Sequence, residues 1–178
     1  MIGLKKGTVR IVLYDKAWVI LFEKEKSILE KTLGPVAIDI QHVGSTSVPG
    51  MPAKPIIDIA VGVRTIKDFE QCFEPLKNAG YIFGPEASNW RELFFTKGQE
   101  DKITCHLHLL KYDGELWKNY LAFRWYLRTN RKCAREYAAL KERLANKFAE
   151  NRVKYTAAKS KFIHEKIKIA RNIPLPTP

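Results

Sequence analysis

The chain has 178 residues, of which 46% are hydrophobic and 11% aromatic, so it can bury the core of one domain and is unlike disordered or fibrous proteins. No apolar run reaches the roughly 18–20 residues that a membrane-spanning helix needs, and the N-terminus lacks the apolar segment of a secretory signal. Three widely spaced cysteines, Cys72, Cys105 and Cys133, indicate buried thiols in a reducing compartment. We therefore predict a cytoplasmic protein without a membrane partner.

The net charge of +12 is concentrated in the second part of the chain. Residues 111–178 hold 17 basic and 6 acidic side chains, a net +11, whereas residues 1–110 hold 14 and 13, a net +1. A basic half indicates a polyanionic partner such as nucleotide phosphates, coenzyme A or RNA. A solvated, lysine-rich helical surface would give the same count, so the charge leaves both interpretations open.

The first 110 residues carry alternating strand and helix patterns. In chain order, hydrophobic periodicity predicts strand 9–13, helix 15–33, strand 36–43, strand 55–63, helix 68–78, strands 81–84 and 93–96, and strand 103–110. Asp15 is suited to cap the first helix, and Gly34-Pro35 ends it. Pro75 predicts an interruption or a kink in the second helix.

From Gly114 onwards the periodicity is helical. It predicts three helices, over about 115–129, 131–150 and 157–170, with an apolar stripe in the second and third. The predicted fold class is α+β: a mixed β-sheet packed on helices over about 8–110, followed by a basic α-helical part over about 114–170. We predict that both parts belong to one domain spanning residues 1–178.

The segment "HVGSTSVPGMPAKPIIDI", residues 42–59, is the first candidate site. Its Gly44-Ser45 turn leaves a strand and offers backbone N–H groups and a hydroxyl, which phosphate oxygens accept. Asp58 follows in an apolar strand, where a carboxylate is costly unless it meets a metal ion, a cation or good hydrogen-bond donors. A structural hydrogen bond or a salt bridge with Lys54 is the alternative.

The segment "CHLHLL" is the second candidate. His106 and His108 are two apart on a predicted strand, so they project from the same face. Two imidazoles at this spacing can share a metal ion, bind a phosphate when protonated or supply an acid–base group. They can also be satisfied core residues, and the sequence leaves this open.

The basic helices provide the third candidate. Arg124 and Arg128 are four apart on one helix face and could clamp a phosphate group. Lys159 and Lys161 could extend that surface, although exposed lysines are usually only solvated.

These motifs together resemble one family. "HVGSTSVPGMPAKPIIDIAVGV", "ELFFTKG", "CHLHLL", "WKNYLAFRWYLR", "AREYAALKERLA" and "YTAAKSKFI" occur in the order seen in the GrpB family, and the resemblance spans about residues 8–170. GrpB proteins look like a branch of the nucleotidyltransferase superfamily. The resemblance implies a nucleotidyltransferase-like fold with Gly44-Ser45 in the Gly-Ser position and Asp58 as the first metal-binding carboxylate.

The sequence departs from that superfamily at two places. The second acidic position, two residues after Asp58, is Ala60, although two magnesium ions normally need two or three converging carboxylates. The family's histidine strand usually reads His-His-x-His, and its first position here is Cys105. The resemblance therefore transfers His106 and His108 alone, and imidazole favours transition metals over magnesium.

Three functions follow as expectations. The first is a metal-dependent nucleotidyltransferase-like enzyme acting on a nucleotide or another phosphate-containing substrate, the second is a non-catalytic binder of a nucleotide, a coenzyme A-like ligand or RNA, and the third is metal-dependent hydrolysis with histidine ligands. The candidate catalytic and metal-binding residues are Asp58, His106 and His108. The candidate phosphate- or nucleotide-binding residues are His42, Gly44, Ser45, Lys54, Arg124 and Lys159. The expected metal is Mg²⁺ or Mn²⁺, or a transition metal if the histidines are ligands, and a nucleic-acid partner is possible but not favoured.

Overall fold

The computed structural model describes residues 2–173, which form six strands and five α-helices. In chain order these are β1 (Leu4–Lys5), α1 (Ala17–Leu33), β2 (Ala37–Val43), β3 (Ile57–Val63), α2 (Phe69–Asn78), β4 (Tyr81–Phe83), β5 (Glu92–Gln99), β6 (Lys102–Lys111), α3 (Glu115–Thr129), α4 (Arg131–Lys147) and α5 (Arg152–Arg171). The strands thus precede the three basic helices, as the periodicity predicts.

The six strands form one mixed sheet. Its order is β2-β3-β6-β5-β4, and the short β1 pairs with β6. The pairing of β3 with β6 is parallel, and the other pairings are antiparallel. In the parallel pair, Asp58 lies beside His106 and Ala60 lies beside His108. The predicted α+β class, with a mixed sheet packed on helices and a basic helical part after it, is confirmed.

The two faces of the sheet have different chemistry because successive strand residues point to opposite sides. The residues of β3 and β6 that pack against α1 and α2 are apolar: Ile57, Ile59, Val61, Val63, Cys105, Leu107 and Leu109. The residues between them face α3, α4 and α5, and they include Asp58, His106 and His108. The apolar face anchors the sheet, which leaves the polar face available to line a site.

The predicted first strand, 9–13, is wrong. An isolated bridge joins Val12 to Ala53, and the Val9 N–H donates to the carbonyl of Ala149 at 2.6 Å. Val9 is buried against Leu144 and Tyr155. The alternating apolar residues of segment 9–13 therefore connect the sheet to the helical part. This is a long-range contact, which a local sequence pattern does not reveal.

Two helix predictions also need correction. The last helix begins at Arg152, five residues earlier than predicted, because the Asn151 side chain accepts the backbone N–H of Lys154 and so caps it. The second helix continues through Pro75 to Asn78 without interruption. Within residues 2–173, no helix has both the length and the low polarity needed to cross a membrane.

Candidate functional site

A cleft of about 1550 Å³ separates the polar face of the sheet from α3, α4 and α5. The polar groups along it include Gly44, Ser45, Lys54, Asp58, Glu92, His106, His108, Asn119, Lys141, Arg152 and Lys159, and Glu86, Glu115, Lys168 and Arg171 line it as well. The cleft therefore brings together seven of the residues nominated from the sequence, which come from the loop after β2, from β3, from β6 and from α5.

Asp58 forms one end of a hydrogen-bonded chain across the cleft. Its Oδ1 lies 2.8 Å from His106 Nδ1, and the Arg152 guanidinium contacts His106 Nε2. A guanidinium can only donate, so Nε2 accepts and the ring proton lies on Nδ1. His106 is therefore a neutral ring that donates to Asp58, and both of its nitrogens are engaged.

The surroundings of this chain fix its charges. Burial lowers the pKa of His106 to about 3 against the opposing effect of Asp58, which agrees with a neutral ring. Burial acts to raise the pKa of Asp58, but the hydrogen bond from His106 and the charge of nearby groups that include Lys54 hold this pKa below its ordinary value. The Asp58 side chain is 26% exposed. An ionised carboxylate thus faces the cleft.

Gly44 allows Asp58 to take this position. Its φ of 66° lies in the left-handed region, and a Cβ built on it would come within 2.3 Å of Asp58 Oδ2. The turn therefore needs glycine for its backbone and for its close approach to β3. The next residue, Ser45, also lines the cleft, as does Tyr137 of α4.

Four cationic side chains surround Asp58: Lys54, Lys141, Arg152 and Lys159. Burial is the largest cause that lowers the pKa of each, and the Asp58 carboxylate opposes it in all four. The pKa falls to about 7 for Lys54 and Lys141 and to about 8 for Lys159. Mutual repulsion contributes, since Lys54 is also affected by Arg152 and Lys159. The cluster carries more positive charge than Asp58 can neutralise.

Two of these cations have no hydrogen-bond acceptor in the described part of the chain. Lys141 donates to the carbonyl of Pro52, and Arg152 contacts His106. The ammonium groups of Lys54 and Lys159 instead lie over the ring of Tyr155, at 5.8 and 4.3 Å from its centroid. A ring face attracts a cation more weakly than an anion does, so both lysines keep their capacity to bind an anion.

A second histidine arrangement lies one pleat along β6. His108 Nδ1 is 2.6 Å from Glu92 Oε1, and the Tyr120 hydroxyl lies 2.9 Å from both atoms. Burial acts to raise the pKa of Glu92, but hydrogen bonds from His108 and Tyr120 lower it. Glu92 and Tyr120 are therefore site residues that were not nominated from the sequence.

Ala60, which occupies the second acidic position of the superfamily pattern, is inaccessible from the cleft. Ala60 is fully buried in an apolar cluster with Val43, Leu110 and Trp117. An aspartate there would lie under α3 among apolar side chains rather than in the cleft. Within residues 2–173, no group of three or more His, Cys, Asp or Glu side chains is arranged to hold a metal ion. The donors do not fit a two-metal centre, and Asp58, which is partly exposed beside the glycine turn, could hold one ion together with a ligand's phosphates.

His42 and Arg124 do not line the cleft. His42 Nε2 pairs with Thr46 Oγ1 at 3.0 Å, and its ring stacks on Phe22. Arg124 donates to the carbonyl of His42 at 2.7 Å and to Gln41 Oε1 at 2.9 Å. Its neighbour Arg128 donates twice to the carbonyl of Ser47. The two arginines thus hold the glycine turn from its outer side.

Lys141, Arg152 and Tyr155 complete the cluster and were also missed. Lys141 is only 2% exposed, although it reads as one more charge on a basic helix. Its spacing gives a partial signal, because it follows Tyr137 by four residues on the apolar stripe of α4. Arg152 has no comparable signal, since its partner His106 is 46 residues away.

Comparison with known proteins points to one family. The chain matches the family model described as GrpB protein over residues 8–168. It is 41% identical to the glutamate-rich protein GrpB of Alkalihalophilus pseudofirmus, over 93% of this chain and 97% of that protein. It is 38% identical to the UPF0157 protein YqkA of Bacillus subtilis, over 89% of this chain but only 46% of that longer protein.

A solved structure supports the same relationship. The fold is similar to that of the conserved protein GrpB from Enterococcus faecalis, with a TM-score of 0.82 and 34% identity. The similarity covers 90% of this chain and 96% of that one.

Replacing Gly44 with alanine tests the packing of the turn on Asp58. We expect Gly44→Ala to lower the free energy of unfolding by clearly more than Gly50→Ala, as measured by urea denaturation. Gly50 also has a positive φ, 76°, but a Cβ placed on it would have no atom within 4 Å, so it reports backbone strain of about 1–2 kcal/mol alone. Equal losses in the two variants would contradict the close contact with Asp58.

Proposed function

Since the chain belongs to the GrpB family, we propose that it binds a nucleotide or another phosphate ester, with the phosphates in the cleft against Lys54, Lys141, Arg152 and Lys159. The observation that carries this proposal is the cationic cluster itself. Two of its lysines have no acceptor among the described residues, and one carboxylate is shared by all four cations. Uncompensated positive charge in a partly buried place lowers the stability of the fold, and a bound polyanion would offset this loss.

The surrounding groups suit the same ligand. The Gly44-Ser45 turn adds a hydroxyl and backbone N–H groups beside the cations. The cleft is concave, and a concave site favours a small phosphate ester over a nucleic-acid duplex. A weak, linear dependence of log affinity on log salt would agree with a small ligand, whereas a steep slope would indicate RNA or DNA.

Metal-dependent nucleotidyl transfer is a second candidate, and the position of Asp58 favours it. Asp58 is an ionised carboxylate on the cleft floor, directly beside the glycine turn. Together with a ligand's phosphates it could hold one Mg²⁺ or Mn²⁺, since magnesium in phosphate sites often takes only one or two carboxylates. Such an ion would neutralise charge on the transferred group. A metal site built on His106 and His108 is less favoured, because both ring nitrogens of His106 already have hydrogen-bond partners.

We expect the cationic cluster to lower the stability of the ligand-free protein and to strengthen its binding of phosphates. We expect Lys159→Met to raise the unfolding free energy of the ligand-free protein at pH 7 by on the order of 1 kcal/mol, because a half-buried charge is removed and solvent already screens part of it. In thermal-shift experiments with inorganic triphosphate, the variant should lose most of the stabilisation that the wild-type protein gains.

Lys161→Met provides the matched control, because Lys161 is exposed on the same helix and does not line the cleft. It should change neither quantity appreciably. If Lys159→Met instead destabilised the ligand-free protein and left the triphosphate effect intact, Lys159 would be structural and the proposal would fail.

Phosphate binding should weaken as the pH rises. In the free protein Lys54 and Lys159 lose protons near pH 7 and 8, and a bound phosphate requires them charged. Above its pKa, each lysine that must take up a proton raises Kd by up to roughly tenfold per pH unit. Calorimetric titration with triphosphate between pH 7.5 and 9, at constant ionic strength, should show rising Kd with proton uptake. An affinity that does not change over this range would argue against lysine ligands.

Asp58→Asn separates binding from metal dependence. The asparagine amide oxygen can still accept from His106 but carries no charge, so we expect bare triphosphate to bind at least as tightly as it does to the wild-type protein. Added Mg²⁺ should tighten triphosphate binding in the wild type and in the control Asp101→Asn, whose exposed carboxylate lies near Lys5. If Mg²⁺ tightened triphosphate binding equally in Asp58→Asn, Asp58 would not be a metal ligand.

A further inference from the structure

The cleft extends well beyond the cationic cluster. Its volume of about 1550 Å³ exceeds the roughly 300–1,000 Å³ typical of a single small-molecule pocket, so phosphates on four cations leave much of it unfilled. We propose that the remaining part, along α3, is a subsite for a nucleoside, and that Asn119 is its hydrogen-bonding residue. This inference rests on the proposed phosphate site and specifies the class of phosphate ester that it takes.

One face of α3 forms the roof of this subsite. Leu116, Asn119, Tyr120 and Phe123 all line the cleft, and their spacing places them on one helical face. Phe123 marks the phosphate end, because its ring lies 5.3 Å from that of Tyr137, and the Lys141 ammonium lies 5.0 Å from the centroid of the Tyr137 ring. With a rise of 1.5 Å per residue, Asn119 lies about 6 Å and Leu116 about 10 Å further along the axis.

The floor of the subsite is aromatic. Phe94 on β5 lies across from His108 on β6, which in turn lies beside Ala60 on β3. Two strand spacings, about 10 Å, separate β3 from β5, so Phe94 is displaced from Asp58 across the sheet. The first part of α3, with Leu116, lies toward the same edge, because Tyr120 donates to Glu92 of β5 whereas Arg124 donates to Gln41 of β2. The ring of Phe94 also lines the cleft. A ligand with its phosphates at Asp58 would therefore place its other end between Phe94 and α3.

Asn119 indicates the chemistry of that other end. Its amide has no hydrogen-bond partner among residues 2–173, and those residues contain no buried side-chain polar atom without a partner. The amide is therefore accessible, and it belongs to a residue that lines the cleft. It offers two donors and an acceptor, the pattern that matches the edge of a nucleobase.

An acyl chain would suit this place less well. It would cover the Asn119 amide without replacing its hydrogen bonds to water, which is unfavourable. A nucleobase offers flat faces for Phe94 and the α3 aromatics and polar edges for Asn119. The combination of aromatic walls with the accessible Asn119 amide is what distinguishes the two ligands.

The test compares four nucleoside triphosphates with inorganic triphosphate by calorimetric titration. We expect the wild-type protein to bind at least one nucleoside triphosphate about tenfold or more tighter than triphosphate. Asn119→Ala should remove most of that advantage and leave triphosphate binding unchanged. Asn146→Ala is the control, because Asn146 is exposed on α4 and does not line the cleft.

The outcomes separate this inference from the proposed function. If triphosphate binds and no nucleoside triphosphate binds tighter, the phosphate site stands and the nucleoside subsite is overturned. If Asn119→Ala weakens triphosphate and nucleotide equally, Asn119 does not contact the nucleoside and the assignment is overturned. If neither ligand binds the wild-type protein, both proposals fail together.

Discussion

The chain of hydrogen bonds from Asp58 through His106 to Arg152 is the interaction on which the rest of the site depends. It joins two parallel strands of the sheet to the first turn of the last helix, so one neutral imidazole connects the sheet to the helical part at the centre of the cleft. A guanidinium at one end and a carboxylate at the other permit one tautomer. This keeps Asp58 ionised in a place where burial alone would favour its protonation.

The cationic cluster is a consequence of this geometry. Once Arg152 is fixed at the start of α5, Tyr155 and Lys159 follow one and two helical turns later, and they meet Lys54 beneath the glycine turn. Repulsion among Lys54, Arg152 and Lys159 opposes folding of the ligand-free protein, whereas apolar residues at these positions would not repel one another. The proposed anion site rests on this uncompensated charge, because a bound anion would supply the missing negative charge.

The packing around Ala60 explains why this chain lacks a second metal-binding carboxylate although the strand β3 is in place. Ala60 projects from the same face of β3 as Asp58, yet Trp117 and Leu110 cover it. A carboxylate there would need a different packing of α3. The same packing gives α3 its long contact with the cleft, with Asn119 and Tyr120 facing the floor. The helix that covers Ala60 therefore also lines the space beside the cationic cluster.

The sequence by itself determined the order of the elements and the centre of the site. Its alternating patterns predict β2 and β6, and its nearly continuous apolar run predicts β3. Gly44, Lys54, Asp58, His106 and His108 stand out as polar or special residues among apolar neighbours. These signals are local, so a single segment is enough to read them. The one false strand, 9–13, arose from the same rule, since alternation cannot distinguish a sheet partner from a helical one.

Only the tertiary structure decided which residues meet. Glu92, Lys141 and Arg152 look like ordinary surface charges, and each becomes a site residue through a partner at least 16 positions away. Arg124, by contrast, has the spacing of a phosphate clamp, but it is directed to the backbone of His42 by the packing of α3 on β2. Side-chain direction and long-range neighbours follow from how helices dock on a sheet, and periodicity carries no information about that docking.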